Sequence, residues 1–295
     1  MAESDWLAEG FERNRTHLRA VAYRMLGSFA EADDAVQEAW LRLSRSDASG
    51  VDNLAGWLTT IVAQVCLNVL RSRHTRREEL MGVHVPDPVV SRAEGTSPED
   101  ETLLADSVGL ALQVVLETLA PAERLAFVLH DMFDLPFDEI APMVGRSPAT
   151  ARQLASRARR WVRGADVQTP DPDLARQREV VDAFFAAAHH GDLDALVAVL
   201  DPDVVLRSDG GTAHPEASGV LHGAAAVAGR ALMVAQPSAL KRPALVNGTA
   251  GVVITLGGQP VAVMGFTVSR GKIAEIDVII DPERLLRLGL PALDG

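Results

Sequence analysis

Cysteine is nearly absent from this chain, with Cys66 the only one among 295 residues. One thiol excludes an intramolecular disulfide and a multi-cysteine zinc centre. Cys66 lies on an apolar helical stripe, so it reads as a small core residue rather than a nucleophile or ligand. Aromatic residues make up only 4%, which excludes a broad stacking platform for unpaired bases. Lysine occurs twice against 26 arginines, and the formal net charge is -12. A basic surface overall is therefore excluded, and any contact with a polyanion must be local. No stretch reads as long and apolar enough to cross a bilayer, and the acidic N-terminus lacks the apolar core of a signal peptide. A cytoplasmic protein without metal or cofactor is expected, since no metal-ligand spacing is present.

What the chain does have is 47% hydrophobic residues, ample for two or three cored domains. Charge is unevenly spread: net -7 over residues 1–106, +1 over 107–164 and -6 over 165–295. The segment Leu135–Arg163 stands out against this background. Arg146, Arg152, Arg157, Arg159, Arg160 and Arg163 fall within it without an acid from 146 onward. Gly145 permits a sharp turn, Ser147 is an N-cap and Pro148 suits the first helical position. Ala151, Leu154, Ala155, Ala158, Trp161 and Val162 recur at helical spacing as a buried stripe. Arg152, Gln153, Ser156, Arg157, Arg159, Arg160 and Arg163 are left for outward faces. Helix, tight turn and cationic helix fit a helix-turn-helix whose second helix enters a major groove. The competing reading is a solvated arginine-rich helix. Pro142 inside the first helix of the pair predicts a kink or a later start.

Upstream, the spacing predicts helices over Phe11–Met25, about Ala30–Leu43 and from Asn53 or Asp52 to about Arg73. Phe11, Leu18, Val21, Ala22 and Met25 face inward on the first, and Ala35, Val36, Ala39, Trp40 and Leu43 on the second. On the third, Leu58, Ile61, Val62, Val65, Cys66 and Val69 form the buried face. Thr60, Gln64, Asn68 and Arg71 lie opposite and run into Arg71, Arg73, His74, Arg76 and Arg77.

The runs ADDAVQEAWLRL, AGWLTTIVAQVCLNVLRSRHTRRE and LAPAERLAFVLHDMFDLPFDEIAPMVGRSPATARQLASRARR are similar, in order and spacing, to bacterial sigma factors of the extracytoplasmic-function type. The resemblance covers about residues 8–164. It implies a sigma-two domain (1–79), a linker (80–106) with Pro86, Pro88, Gly95, Pro98 and acids at 99–101, and a sigma-four domain (107–164). It implies core RNA polymerase, through its beta-prime and beta subunits, and promoter DNA as partners. Asp33, Asp34, Gln37, Glu38 and Leu41 would dock on the polymerase. Asn53, Thr60, Gln64, Asn68, Arg71 and Arg73, with the loop from Ser44, would read the −10 element. The helix from Pro148 would read the −35 element, through Ser147, Thr150, Arg152, Gln153, Ser156, Arg157 and Arg160. Capturing one or two unstacked bases would open the strands.

After a second linker (165–175), residues 176–295 read as a helix Arg176–His190, a second helix and a strand, then strands Ala250–Leu256, Gln259–Ser269 and Lys272–Ile280. Gly257–Gly258 and Arg270–Gly271 separate the last three, and the second pair is a hairpin signal. Helices followed by a curved antiparallel sheet resemble the SnoaL-like, nuclear-transport-factor-2-like α+β cone. Two all-α domains plus an α+β domain is therefore the expected architecture. Sigma factors with this addition form a group, often numbered 41, with WLPEPV-like, DGGG-like and NPDKL-like stretches. Here these are His84–Val89 (including Pro86, Asp87 and Pro88), Asp209-Gly210-Gly211 and Asp281–Leu285 (including Pro282). The resemblance implies that the added domain regulates the sigma core in cis. His189, His190, Asp209, His214, His222 and Asp277 are possible pocket groups for a small-molecule ligand or for acid–base chemistry. The alternatives are a stand-alone helix-turn-helix regulator and a SnoaL-like enzyme or sensor fused to a DNA-binding module.

Overall fold

The computed structural model describes residues 2–45, 53–79, 83–92, 110–164, 168–236 and 238–290. The expected loop at 46–52, the linker stretch 93–106 and the side chains of His74, Arg76 and Arg77 lie outside the described residues. The chain forms two compact units. One joins residues 1–80 to 112–166, and the other joins 81–111 to 167–295.

The first unit is helical. Helix α1 spans Ala2–Leu26, α2 Phe29–Leu43 and α3 Leu54–Glu79. Then come α4 Leu110–Glu117, α5 Pro121–Phe127, a π-helical turn Val128–Met132, α6 Phe137–Val144 and α7 Pro148–Gly164. One apolar core runs from Leu18, Val21 and Met25 of α1, through Val62 and Cys66 of α3, to Leu129, Ile140 and Ala155. Val65 and Val69 are only half-buried, because Ala63, Leu67 and Leu70 complete the inner face of α3. Leu54–Arg73 is long and apolar enough to cross a membrane by length and composition, with mean hydropathy 1.3, which corrects the expectation that no stretch is. Its apolarity is explained by the buried face packed between the other helices.

The last turn of α1 leaves backbone carbonyls without helical partners. Distant side chains supply the donors. Arg73 Nη1 donates to the Leu26 carbonyl at 2.8 Å. Arg124 Nη2 donates to the Arg24 carbonyl at 3.0 Å, and Gln113 Nε2 reaches the carbonyls of Arg24 and Tyr23. Arg124 is 1% exposed and is neutralised by Glu117 at 2.6 Å.

The second unit is α+β. Helices α8 (Leu174–His190), α9 (Leu193–Val199) and α10 (Ala224–Val234) accompany strands β2 (Leu200–Asp209), β3 (Gly219–His222), β4 (Leu240–Val246), β5 (Thr249–Leu256), β6 (Gln259–Ser269) and β7 (Lys272–Ile279). Helix α11 covers Pro282–Arg287, and a strand β1 comes from Val90–Arg92. The sheet order is β1-β4-β5-β6-β7-β2-β3. β2 and β7 run parallel while the other pairs are antiparallel, so the expected all-antiparallel sheet is mixed. A parallel neighbour needs a crossover, and the long excursion from β3 to β6 provides it.

Alternation builds two cores on this sheet. Val204, Leu206, Val252, Phe266, Ile276 and Val278 face α8, α9 and α10. Val246, Val253, Val263 and Ile279 face the other way, where Val85, Val90 and Leu285 cover them. Three hairpins close on two-residue turns with positive φ at both centres: Asn247–Gly248, Gly257–Gly258 and Arg270–Gly271. These are the turns whose twist matches that of the strands.

Candidate functional sites: an arginine helix and a clasped segment

The turn before α7 is built as its residues dictate. Gly145 adopts φ 67° and ends α6, with the Arg146 amide donating to the Ala141 carbonyl at 3.0 Å. Ser147 caps α7: its Oγ accepts from the Thr150 amide at 3.3 Å. Pro142 sits inside α6, which reaches only from Phe137 to Val144. Ala151, Ala155 and Ala158 are buried, with Leu154 and Val162 packed against them. Trp161 corrects the expected stripe, for it is 59% exposed and its indole N–H donates to Thr118 Oγ1 at 2.8 Å. Ten residues beyond Ala151, at about 100° per residue, it points roughly 80° off the inner face.

The outward residues of α7 are not equivalent. Gln153, Ser156 and Arg160 are exposed, and Thr150 is half-buried. The guanidinium of Arg152 lies 5.2 Å from the Phe137 ring centroid. Arg157 faces Glu123 at 3.8 Å, and Arg159 is bound to Asp131 at 2.5 Å. On α2, Asp34, Gln37 and Leu41 are exposed, Asp33 pairs with Arg19 at 2.8 Å and Glu38 with Arg42 at 2.9 Å. Trp40 is half-buried, 5.0 Å from the Phe11 ring. Asn53 caps α3 through the Gly56 amide at 3.0 Å. Thr60 bonds back to the Gly56 carbonyl, Gln64 is half-buried, and Asn68 and Arg71 are exposed. Arg73 differs from them, since it holds the end of α1 and pairs with Glu31.

In the second unit, residues 83–92 form a segment that packs Val85 on one face of the sheet and ends in the edge strand β1. Val90, Ser91 and Arg92 pair with Val246, Leu245 and Ala244. The Val89 amide donates to Asn247 Oδ1 and the Asn247 amide returns a bond to the Val89 carbonyl, both at 2.8 Å. Pro86 and Pro88 are buried without cost in unpaired donors, because proline has no N–H. Arg284 then ties the three motifs together. Its Nε donates to Asp87 at 2.8 Å, Nη1 to Asp209 at 2.5 Å and Nη2 to the Val85 carbonyl at 2.5 Å. Asp209 also accepts from the Val85 amide at 2.9 Å and lies 3.3 Å from His84. Burial alone would raise the Asp209 carboxyl, but the bond from His84, the charge of Arg284 and the Val85 amide outweigh it and hold the pKa at about 2. Asp281 caps α11 and crowds Gly211, whose φ is 60°. A Cβ there would land on the Asp281 carboxylate, and one at Gly210 on the His214 carbonyl. Leu285 is buried with Val85 and Val90.

Two family models match stretches of the helical unit. The family model of Sigma-70 region 2 matches residues 11–76, and that of Sigma-70, region 4 matches residues 109–162. The chain is 41% identical over 287 residues to the ECF RNA polymerase sigma factor SigJ of Mycobacterium tuberculosis, covering 93% of this chain and 91% of that one. It is 35% identical to the probable ECF RNA polymerase sigma factor SigI of the same species, covering 97% of each. The crystal structure of SigJ overlays with a TM-score of 0.72 at 36% identity, over 97% of this chain and all of that one. The chain belongs to the extracytoplasmic-function RNA polymerase sigma factors.

In this sigma factor the pocket groups expected in the C-terminal unit do not converge. His189 and His190 end α8 exposed, His190 bonding the Ala186 carbonyl. His214 lies near Glu216, His222 is exposed on β3, and Asp209 belongs to the clasp. Asp277 pairs with Arg207 at 3.1 Å, and Arg207 also meets Glu275 at 3.4 Å. Burial, with Glu275 adding to it, pushes Asp277 up to about 6 against the opposing pull of Arg207. A groove of about 300 Å³ opens elsewhere, between Leu206, Ser208, Val220, Leu221, Arg230 and Met233, and none of those six groups lines it. Sequence reasoning passed over Asn247 as a contact residue, although the Asn-Gly pair is a readable hairpin signal. Arg284 lies in the Asp281–Leu285 stretch already singled out, but nothing local marks Asp87 and Asp209 as its partners.

Proposed function

We propose that this sigma factor binds core RNA polymerase, directs promoter-specific initiation, and is regulated in cis by its C-terminal unit. Polymerase would dock on the α2 face of Asp33, Asp34, Gln37, Glu38 and Leu41. The −10 element would be read by Asn53, Thr60, Gln64, Asn68 and Arg71, with Arg73 acting mainly through the fold. The −35 element would be read from the outward face of α7. The domain boundaries 1–79, 107–164 and 176–295 belong to this reading. So does residence in the cytoplasm, where the polymerase is.

The observation that carries the regulatory part is the Arg284 clasp. It joins Asp87, from the segment between the two DNA-reading regions, to Asp209 and the Asp281 turn. Holding that segment restricts how far the two readers can separate. The names −10 and −35 imply a span of 25 base pairs, roughly 85 Å at ~3.4 Å each. A packed body of the size of the first unit has a radius of gyration of only about 14 Å. The packed arrangement, sealed by Arg124 and Gln113 on the end of α1, is thus the resting form, and the clasp helps to keep it. The C-terminal unit is read as a contact domain rather than an enzyme, because its candidate acid–base groups are scattered. A sensing role is favoured by one feature: Ser218 Oγ, beside the groove, accepts from the Gly210 amide at 3.0 Å and so links the groove to the clasp loop.

Run-off transcription with core polymerase tests both parts. The full chain and a version ending at Gln168 should give the same start site with different yields. Equal yields would remove the cis regulation, and no specific transcript from either would remove the sigma assignment.

A further inference from the structure

The turn Val128–Met132 is π-helical, a rare geometry that recurs at functional positions. Two of its side chains lead to α7. Asp131 accepts from Arg159 Nε at 2.5 Å. His130 places its ring 3.9 Å from the Phe137 ring, centroid to centroid, and is steadied by a 2.9 Å bond between its Nδ1 and the Leu135 carbonyl. Phe137 in turn carries the Arg152 guanidinium at 5.2 Å. An aromatic face engages the flat side of a guanidinium and leaves its N–H edge free. Two parallel donors on that edge match the O6 and N7 acceptors of guanine in the major groove. The other arginines are placed differently. Arg157 and Arg159 face acids, and Arg160 has neither acid nor ring partner among the described residues. Arg152 is also near the N-terminal end of α7, the end that meets base edges in helix-turn-helix docking.

We infer that Phe137 is a positioning residue that holds Arg152 as the reader of one guanine in the −35 element, and that His130 of the π turn orients Phe137. The inference rests on the assignment of α7 to that element.

The test uses the full chain with core polymerase and a pool of promoter duplexes randomised through the −35 region. Wild type should enrich guanine at one position. Arg152→Lys, which keeps charge but loses the fork, should cut that preference about tenfold and leave the other positions unchanged. Phe137→Leu should weaken the same preference severalfold with an unchanged salt slope, since no phosphate contact is removed. Phe137→Trp should restore it. Should Phe137→Leu fail to fold, His130→Gln is expected to weaken the same position. An unaltered guanine preference in a folded Phe137→Leu or His130→Gln protein overturns the positioning role. An unaltered preference in Arg152→Lys overturns the reader. A wild type with no base preference across the region overturns the −35 assignment itself.

Discussion

Replacing Arg284 by alanine should release the clasped segment. The side chain is 12% exposed and serves Asp87 and Asp209, which are 9% and 6% exposed. Its removal takes the arginine cation from two buried carboxylates and a donor from the Val85 carbonyl, while Asp209 keeps the Val85 amide and His84. Stranding a buried charge costs about 3–5 kcal/mol. The segment can avoid that cost by leaving the sheet edge, so the loss falls on docking rather than on global folding. About 3 kcal/mol corresponds to roughly a hundredfold in the docking equilibrium. Amide hydrogen exchange reads it directly, because the Val85 and Val89 amides are bound to Asp209 and Asn247 when docked. Both should exchange about a hundredfold faster in Arg284→Ala. Arg284→Lys should be intermediate, since one ammonium cannot span both acids. Acid should act in the same sense. Asp209 is depressed from 3.8 to about 2, so its contribution, about 2 kcal/mol, is complete above pH ~4 and is lost as pH falls through 2. Protection of Val85 and Val89 that is unchanged in Arg284→Ala would refute the clasp.

Other perturbations reach separate parts of the molecule. Gly211→Ala should lower stability by about 2 kcal/mol or more, from positive φ and the collision with Asp281, as read from urea midpoints; an unmoved midpoint would show that the loop accommodates a side chain. Asp277 is raised to about 6, so its contribution favours folding below pH ~4 and is lost as pH rises through 6. Asp277→Asn should flatten that fall, and an identical pH profile in the variant would discount it. Cys66, its thiol pushed up to about 12 by burial, should resist alkylation until the first unit unfolds. Rapid native labelling with iodoacetamide would contradict its place in the core. Arg157→Ala combined with Arg160→Ala should weaken promoter binding by about 1–3 kcal/mol and reduce its salt slope, which filter binding at several salt concentrations measures.

Local signals were enough for much of this protein. The Gly145-Arg146-Ser147-Pro148 turn encodes its own geometry, because a left-handed residue, a hydroxyl cap and a fixed proline φ act within a few residues. The apolar stripes of α1, α2 and α3 and the hairpins at Gly257 and Arg270 are legible for the same reason. So are the acidic face of α2 and the cationic face of α7. Single-strand features misled where burial depends on partners distant in sequence. Trp161 fits an apolar spacing, yet the helix has turned away from its support by that point. Strand β4 and helix α10 carry little periodicity, since their contacts are set by neighbours in the sheet. Only the tertiary structure decided that Val90–Arg92 pairs with β4, that Arg284 bridges Asp87 and Asp209, and that Phe137 lies beside Arg152. Asp87 and Arg284 are separated by 197 residues. Hydrophobic periodicity and turn chemistry act over one or two turns of chain. An ion pair across that distance is selected by the folded sheet and not by anything adjacent to either residue.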